Sequence, residues 1–306
     1  MIIVAGEALI DLIPRQSGPA AALLPSRGGG PYNTAVALAR LGSAAHFCSR
    51  ISTDAFGDFL LDRLRAENVG LELVQRGPEP TGLAVATLDH ANSAVYTFYL
   101  EGTADRLFTA PPGLPAAARA LLAGACSLAL EPGATAYESL IRDAAARGVF
   151  VALDPNIRPA VIPDPAAYRA RLLGLLPHVD LVKLSQEDAE WLGGRPQDWL
   201  AAGPAAVVVT HGPDGLTAFT RDREPVHVRG TPVDVADTIG AGDTVYAALV
   251  HGLAERDLLT RDALSAIVPA EWHDLLVFAA RAAAVTCSRP GAEPPSIAEL
   301  RHPGGE

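Results

Sequence analysis

The stretch VADTIGAGDTVYAAL, Val235 to Leu249, places two glycines, two aspartates and two threonines directly before a run of apolar residues that favours a helix. Glycine adopts positive φ angles readily and leaves room for a close approach, so Gly240 and Gly242 permit a tight turn at the mouth of that helix. The first N–H groups of a helix have no partner within it, and the helix dipole adds positive charge there. We therefore predict an anion site at the start of this helix.

Asp243 adds a carboxylate to the predicted anion site. Phosphoryl transfer requires mainly that nucleophile and leaving group are aligned and that negative charge is neutralised. A carboxylate at this position can accept the proton of an attacking hydroxyl. With an ordinary pKa of about 3.9, lowered if anything by the helix terminus, Asp243 is expected to be ionised at neutral pH. The alternative is that Asp243 only caps an ordinary left-handed turn.

Length and composition predict one compact domain. The chain has 306 residues, of which 49% are hydrophobic and 19% are charged, and this composition supports a large core. The formal net charge of −11 argues against the clustered basic surface with which proteins bind nucleic acid. Lys183 is the only lysine, and no Gly-Lys pair is present, which eliminates a Walker A phosphate loop.

The cysteines, histidines and apolar runs indicate the setting of the protein. Cys48, Cys126 and Cys287 form no C-x-x-C motif, so we expect a reducing cytoplasm. The apolar N-terminal segment contains the acidic residues Glu7 and Asp11, which is unlike a secretion signal. No apolar run approaches the roughly 18 residues of a membrane span. The eight histidines include no H-E-x-x-H motif, which argues against a zinc hydrolase.

Short apolar runs alternate with helix-like segments, a pattern typical of βαβ units around a mostly parallel sheet. The predicted strands are residues 1–5, 127–131, 149–154, 180–185 and 205–212. The predicted helices are residues 34–41, 56–67, 134–147, 166–175, 187–192 and 244–254. Segment 114–125 also has the alanine-rich composition of a helix. Ligands of such sheets bind beyond the carboxyl ends of the strands.

Residues 77–102 interrupt this alternation. They predict two strands joined by a turn around residues 91–93, with proline and glycine at the entrance. Residues 12–25 lack a helical pattern and are expected to supply further strands to the same small subdomain. Such an appendage either closes over a ligand, forms an interface or merely decorates the core, and its exposed strand edges favour a homodimer.

Two motifs together resemble those of a known family. DTIGAGDT, at residues 237–244, is similar to the C-terminal signature of the PfkB, or ribokinase-like, carbohydrate kinases, and GGGPYNTAVALARLG, at residues 28–42, is similar to their N-terminal signature. Further matches lie in GEALIDLIP, DPNIRP, KLSQED, VVVTHGPDG and CSRPGAEPP. The resemblance covers nearly the whole chain. It implies a single ribokinase-like kinase domain over residues 1–306, with a three-layer α/β core, a mostly parallel central sheet, and a small β-sheet lid formed by about residues 12–27 and 79–104.

The resemblance also implies roles for individual residues. Asp243 takes the position of the catalytic base, and Gly240, Ala241 and Gly242 that of the anion hole. The sugar-binding positions are Asp11, Gly28, Gly29 and Asn33, together with Phe98, Arg106 and Arg158. The ATP-binding positions are Lys183, Ser185, Thr210, Gly212 and Gly215. Asp188 matches a Mg²⁺ position acting through water, and Asp237 a monovalent-cation position. From the sequence alone, Asn33 is also explained as a helix N-cap, and Lys183 as a solvated surface charge.

The chain departs from the family pattern at two positions. Asp188 stands where the family carries glutamate, which shortens the reach toward Mg²⁺, although water or Glu187 can compensate. Leu100 stands where relatives that phosphorylate 2-keto-3-deoxygluconate often carry arginine. With Leu100 at this position, the carboxylate of an acidic sugar would be buried without a cation, which is costly, so an acidic sugar is disfavoured. Arg106 lies nearby in the sequence and can supply the missing charge, so 2-keto-3-deoxygluconate stays open as a substrate.

The leading hypothesis is an ATP- and Mg²⁺-dependent sugar kinase of the bacterial fructokinase branch, which phosphorylates the primary hydroxyl of D-fructose, with K⁺ as a further candidate cofactor. Within the same family, 2-keto-3-deoxygluconate kinase, ribokinase and nucleoside kinase remain alternatives. A non-catalytic sugar- or nucleotide-binding protein is a third class, but a pure binder has no need of a base beside an anion site. The expected partners are a small sugar and ATP, with neither nucleic acid nor a membrane.

Overall fold

The computed structural model describes residues 1–14, 21–88 and 94–301. Within them the chain forms a large sheet between two layers of helices, and a separate small sheet. The strands are β1 (Ile2–Ala5), β2 (Leu9–Pro14), β3 (Leu23–Gly28), β4 (Ala45–Ser52), β5 (Gly70–Gly77), β6 (Gly82–Leu88), β7 (Ala94–Tyr99), β8 (Ala120–Gly124), β9 (Phe150–Asp154), β10 (Leu181–Ser185), β11 (Ala206–Thr210), β12 (Leu216–Thr220) and β13 (Val226–Val228). The helices are α1 (Gly30–Arg40), α2 (Ala55–Ala66), α3 (Gly133–Ala146), α4 (Pro165–Leu175), α5 (Gln186–Leu192), α6 (Pro196–Ala202), α7 (Ala241–Glu255), α8 (Arg261–Ala266), α9 (Pro269–Cys287) and α10 (Ile297–Arg301).

The large sheet has the order β13-β12-β11-β10-β9-β8-β1-β4-β5. The strands from β11 to β5 in this order are parallel, and β12 and β13 add an antiparallel edge. The central strands β1, β8 and β9 are buried along their whole length, as expected for parallel strands that are covered on both faces.

Alternating side chains of these strands enter two separate cores. On β1, Ile2 and Val4 belong to one hydrophobic cluster, and Ile3 and Ala5 belong to the other. Helices α1, α2, α7 and α9 pack on the first face, and α3, α4 and α6 pack on the second. The predicted three-layer α/β architecture with a mostly parallel sheet is therefore confirmed.

The small sheet has the order β3-β2-β6-β7. Leu9 and Ala84 of this sheet, together with Leu100 directly after β7, pack on Cys126 and Val161 of the larger unit. The segments assigned to a lid by the sequence contribute strands to this sheet, which begins slightly earlier, at Leu9. The turn predicted at residues 91–93 lies outside the described residues.

The sequence mislocates one central strand. Residues 127–131 were expected to form a strand, but Ala125–Leu128 form a 3₁₀ turn and the strand is β8, which lies inside the segment whose composition favours a helix. In its position between β1 and β9, β8 gains packing on both faces, which outweighs the helix propensity of alanine. Strands β4, β5, β12 and β13 and helices α6, α8, α9 and α10 were not predicted. No helix among the described residues is long and apolar enough to cross a membrane.

Candidate active site

A cleft of about 780 Å³ opens at the carboxyl ends of the parallel strands, below the small sheet. This is the edge at which ligands bind in open α/β sheets. Of the predicted site residues, the cleft is lined by Asp11, Gly29, Asn33, Phe98, Arg158, Lys183, Ser185, Asp188, Thr210, Gly212, Gly240, Gly242 and Asp243. Positions from almost every part of the chain are therefore brought together. Gly28, Arg106, Gly215, Asp237 and Ala241 do not line it.

Helix α7 begins at this cleft with unpaired N–H groups. Gly240 is the N-cap, with a left-handed φ of 77°, and a Cβ at this position would lie 2.7 Å from the Cβ of Ala292. Among the described residues, the N–H groups of Gly240, Gly242 and Asp243 have no acceptor, whereas the N–H of Ala241 donates to Thr238 at 3.3 Å. The helix start thus has the free N–H groups that an anion site requires, and the N–H of Ala241 is the least available of them.

Asp243 is buried at the cleft, with 8% of its surface exposed. Its Oδ2 accepts a hydrogen bond from Asn33 Nδ2 at 2.9 Å, and its Oδ1 accepts one from Asn156 Nδ2 at 3.4 Å. Burial and, to a smaller extent, nearby Asp154 raise the pKa of Asp243, while Asn33, Lys183 and Arg158 lower it, and the net result is a pKa of about 6. The expectation of a lowered pKa is wrong, because loss of hydration outweighs the helix terminus. Asp243 is still largely ionised at pH 7 and is a stronger base.

Asn33 lies inside α1, one turn after its start, and points its amide at Asp243. The N-cap of α1 is Gly29, so the explanation of Asn33 as an N-cap is wrong. Two features require glycine at position 29: its φ is 104°, and a Cβ there would lie 2.7 Å from the Glu7 carbonyl oxygen. The signature therefore serves two purposes: it permits the sharp entry into α1 and it supplies a hydrogen-bond donor to the carboxylate.

Asp11 lies on β2 and lines the cleft. Burial and the nearby Asp243 carboxylate raise the pKa of Asp11, Arg158 lowers it, and the net result is a pKa of about 6. Gly28 does not line the cleft, but a Cβ on it would lie 2.3 Å from Asp11 Oδ2. Gly28 therefore provides the space that the carboxylate of Asp11 occupies.

Lys183 forms a buried ion pair beside the helix start. Its Nζ lies 2.9 Å from Asp154 Oδ2, and only 4% of the lysine is exposed. A Cβ on Gly242 would lie 3.0 Å from the same Nζ. The explanation of Lys183 as a solvated surface charge is therefore wrong. Its ammonium is close enough to share an anion with the N–H groups of α7.

Asp188 and Ser185 form the capping box of α5. Ser185 Oγ accepts from the Asp188 N–H at 3.0 Å, and Asp188 Oδ2 accepts from the Ser185 N–H at 3.1 Å. Asp188 Oδ1 also accepts from the Ile157 N–H at 2.8 Å. The shorter side chain thus ties α5 to the loop after β9. Glu187 lines the cleft beside it, while the described residues contain no cluster of three or more groups arranged to hold a metal ion.

Two of the predicted residues outside the cleft are engaged elsewhere. The Arg106 guanidinium donates to the carbonyls of Glu131 and Leu100, at 2.7 and 3.4 Å. Gly215 packs against β13, where a Cβ would lie 2.0 Å from the Val228 carbonyl oxygen. Arg106 therefore brings no charge to the cleft in this structure, and Gly215 allows the close approach of two backbone segments outside the cleft.

Asp237 ties the turn before α7 to the loop that follows α9. Its carboxylate accepts from the N–H groups of Ile239 at 3.0 Å and Gly291 at 2.9 Å. These two bonds hold the approach to the anion site against a distant part of the chain. The assignment of a monovalent cation to Asp237 stays a prediction.

The cleft is also lined by residues that were not predicted as sugar- or nucleotide-binding residues, among them Glu7, Gly30, Tyr96, Asn156 and Glu187. Asn156 follows β9 directly, and a polar residue directly after a buried strand is a signal that the sequence offered. Tyr96 lies two positions before Phe98 on β7, and their rings stack with centroids 6.3 Å apart. A period of two places both on one face of a strand.

The site combines a positioned carboxylate, unpaired amides at a helix start, and a buried ammonium. A carboxylate with a pKa of about 6 can take a proton from a hydroxyl. Amides and an ammonium ion stabilise the negative charge on a phosphoryl group in transfer. The geometry therefore suits phosphoryl transfer to an alcohol.

Comparison with known proteins gives matches over nearly the whole chain. The family model described as pfkB family carbohydrate kinase matches residues 1–299. A fructokinase of Rhizobium leguminosarum bv. trifolii is 40% identical over 271 residues, which cover 85% of this chain and 82% of that relative. The crystal structure of a fructokinase with bound ATP from Xylella fastidiosa is similar with a TM-score of 0.87 and 30% identity, covering 98% of this chain and 96% of the other. A fructokinase double mutant from Vibrio cholerae O395, in a form with bound fructose, ADP and potassium ion, is similar with a TM-score of 0.83 and 27% identity, covering 98% and 96%.

Proposed function

Because the chain belongs to the pfkB family of carbohydrate kinases, we propose that it is an ATP-dependent fructokinase, which converts D-fructose to fructose 6-phosphate. The observation that carries the proposal is the buried Asp243 carboxylate, held by Asn33 and Asn156 next to the unpaired amides of α7. The likeness to fructokinases, including one solved with fructose and ADP, supports the choice of sugar.

In the proposed reaction, Asp243 accepts the proton of the sugar's primary hydroxyl while the oxygen of that hydroxyl forms a bond to the γ-phosphorus of ATP. The bond from that phosphorus to the bridging oxygen of the β-phosphate breaks, and ADP leaves. The N–H groups of Gly242 and Asp243, together with Lys183, stabilise the charge on the transferred group. Because Lys183 is paired with Asp154, its position is fixed before the nucleotide binds.

The sugar is proposed to bind between α1 and the small sheet. Asp11 and Asn33 are suited to sugar hydroxyls, which both donate and accept hydrogen bonds, and Phe98 closes this side of the cleft. A neutral sugar is favoured over 2-keto-3-deoxygluconate, because the Arg106 guanidinium is bound to main-chain carbonyls outside the cleft. We propose that the small sheet acts as a lid that excludes water from the phosphoryl group.

ATP is proposed to bind along Thr210 and Gly212, with its phosphates toward Ser185 and Lys183. Mg²⁺ retains several waters when bound, and Asp188 and Glu187 would hold it through such waters, since each Asp188 oxygen already accepts a main-chain hydrogen bond. When bound, the ion supplies charge neutralisation at the phosphates. A monovalent cation is proposed at Asp237.

We also propose a homodimer formed through the small sheet, in the cytoplasm. Leu23, Leu24 and Tyr99 of this sheet are large apolar side chains exposed to solvent, and β3 and β7 are its open edges. Exposed strand edges favour pairing with a second chain. The three cysteines are free thiols, which agrees with a reducing compartment.

A sugar panel tests the proposed function. We would measure ADP release with D-fructose, D-ribose, adenosine and 2-keto-3-deoxygluconate, and expect the highest kcat/KM with D-fructose and formation of fructose 6-phosphate. A higher kcat/KM with another acceptor would contradict the choice of D-fructose and would indicate the activity of another branch of the family. Binding of fructose without sugar-dependent ADP release would instead make the chain a sugar-binding protein.

A further inference from the structure

Glu7 is a buried carboxyl group on the wall of the cleft to which the proposed reaction gives no role. It follows β1, lines the cleft, and exposes only 3% of its surface. Among the described residues it forms no ion pair with an arginine or lysine. A buried carboxyl group without a cation costs stability, so this position calls for an explanation beyond packing.

Only one oxygen of the Glu7 carboxyl is used by the protein. Its Oε2 accepts from the Ser127 N–H at 3.0 Å and from the Ser127 hydroxyl, while the Glu7 N–H donates to Ser127 Oγ at 2.7 Å. These reciprocal hydrogen bonds connect the loop after β1 to the 3₁₀ turn that contains Ser127. Its Oε1 has no hydrogen-bond partner among the described residues. Because Glu7 lines the cleft, this oxygen is open to a donor from the cleft, either water or a hydroxyl group of a bound ligand.

The neighbours of Glu7 set its protonation near neutrality. Burial and, to a smaller extent, the Asp105 carboxyl raise the pKa of Glu7, the hydrogen bonds from Ser127 lower it, and the net result is a pKa of about 7. The other titratable groups that interact with it are Cys126, Tyr137 and Tyr168, all neutral because burial raises their own pKa values. Since Ser127 already donates to Oε2, a bound proton resides on Oε1. The ionised form thus accepts a hydrogen bond at Oε1, and the protonated form donates one.

We propose that Glu7 is a further sugar-binding residue, whose Oε1 accepts a hydrogen bond from a hydroxyl of the bound sugar. This hydroxyl differs from the reacting one, because Asp243 receives the proton of the reacting hydroxyl and is held by other residues, Asn33 and Asn156. The inference rests on the proposed sugar kinase function. It assigns to Glu7 the recognition of a sugar with a hydroxyl at this end of the cleft, beside Leu9 and Cys126.

The decisive variant is Glu7→Gln, which keeps the shape of the side chain. Ser127 offers two donors, so the amide oxygen takes the place of Oε2 and the NH₂ group takes the place of Oε1. The acceptor that faces the sugar becomes a donor. We expect the fructose KM to rise on the order of 10- to 100-fold, the worth of a hydrogen bond to a charged group, while the ATP KM changes less than about twofold and the melting temperature does not fall.

Two readouts separate sugar contact from a structural role. In the wild type, the fructose KM should rise as the pH falls through about 7, because protonation removes the acceptor. In Glu7→Gln this rise near pH 7 should be absent, and only the rise near pH 6 caused by protonation of Asp11 should remain. Ser127→Ala leaves Oε1 in place and should change the fructose KM less than about threefold. An equal rise in Ser127→Ala, or an unchanged pH dependence of the fructose KM in Glu7→Gln, would overturn the proposal, because Glu7 would then act only through the turn.

The proposed function and the role of Glu7 can fail separately. Wild-type turnover on fructose tests the function, whereas the ratio of sugar KM values between wild type and Glu7→Gln tests the residue. If another sugar of the panel is the better substrate, the same ratio measured with that sugar decides the role of Glu7. A series of monodeoxy sugars should contain one member with which the wild type and Glu7→Gln have the same KM. If the KM of Glu7→Gln stayed higher than that of the wild type by the same factor with every monodeoxy sugar, no single hydroxyl group would be the hydrogen-bond partner of Glu7, and the proposal would be wrong.

Discussion

Replacing Asp243 with asparagine separates the chemical role of the carboxylate from its structural cost. The substitution keeps the size of the side chain, and the amide oxygen can still accept the 2.9 Å hydrogen bond from Asn33. The new NH₂ group then faces the NH₂ group of Asn156, whose present bond is the longer one, 3.4 Å. We therefore expect Asp243→Asn to fold as the wild type does and to bind sugar with a KM changed only a few-fold.

Turnover should fall because the variant has no base at the reacting hydroxyl. A positioned general base contributes roughly 10²- to 10⁴-fold, so kcat should fall by that factor, equivalent to about 3–5 kcal/mol of barrier. The wild-type kcat should decrease as the pH falls below about 6, the pKa of Asp243, and this acid limb should be missing from the variant's residual activity. Steady-state ADP release between pH 5.5 and 8 measures both.

The free energy of unfolding of Asp243→Asn should be higher than that of the wild type at pH 7, although its turnover is lower. The pKa of Asp243 is raised from 3.8 to about 6 in the folded protein, so between these values the folded state binds more protons than the unfolded state. The free energy of unfolding therefore decreases as the pH rises from about 4 to about 6, by about 3 kcal/mol in total, and stays low above it. Asp243→Asn lacks this term and should be more stable at pH 7, by up to about 3 kcal/mol, in urea denaturation.

The matched control is Asp164→Asn. Asp164 caps α4 and does not line the cleft, and asparagine is an equally good N-cap. This variant should keep wild-type turnover and a free energy of unfolding within about 0.5 kcal/mol. If Asp243→Asn kept wild-type turnover, Asp243 would not be the base. If Asp243→Asn were less stable than the wild type at pH 7, the buried carboxylate would not be costly.

Three other substitutions test the support of the site. Lys183→Met leaves the Asp154 carboxylate buried and unpaired, so we expect a loss of about 3–5 kcal/mol in urea denaturation and a higher ATP KM; unchanged stability would contradict the buried pair. Gly240→Ala forces a positive φ and a contact with Ala292, so it should cost at least about 1 kcal/mol and lower kcat, measured by denaturation and ADP release. Asp188→Glu restores the family residue but lengthens the side chain that closes the α5 capping box, so calorimetry should show a loss of about 1 kcal/mol; increased stability would argue against that cap.

The position of Asp243 beside the free amides of α7 was predictable because it depends on a local motif. The glycine turn before α7 and the carboxylate after it specify an anion site by backbone chemistry alone, and the structure leaves the Gly242 and Asp243 amides without an acceptor among the described residues. The buried strands β9, β10 and β11 were predicted for a similar reason, since a short apolar run bounded by polar residues is a local signal. The electrostatics of Asp243 were not predictable, because burial is a property of the whole fold.

The missed features depend on contacts between distant parts of the chain. Strand β8 lies in an alanine-rich segment that favours a helix, and only its place between β1 and β9 makes it a strand. Likewise, Asp188 departs from the family pattern in a way that looks like a weakened metal site, yet its oxygens bind the N–H groups of Ile157 and Ser185. Glu7 offered no signal of its own, since its partner Ser127 lies 120 residues away in the chain.

The charges of the cleft explain why a neutral sugar fits this site. Asp11 and Asp243 both have pKa values of about 6, so at neutral pH both are mainly ionised and each raises the energy of the other. The cations that line the cleft within the described part of the chain are Arg158 and Lys183, and the lysine is already paired with Asp154. A hydroxyl group donates to a carboxylate and relieves its lost hydration, whereas an acidic sugar adds a further negative charge to a cleft that is already lined by Asp11, Asp243 and other carboxyl groups. Discrimination against acidic sugars therefore follows from the carboxylates of the cleft, without a residue dedicated to rejecting them.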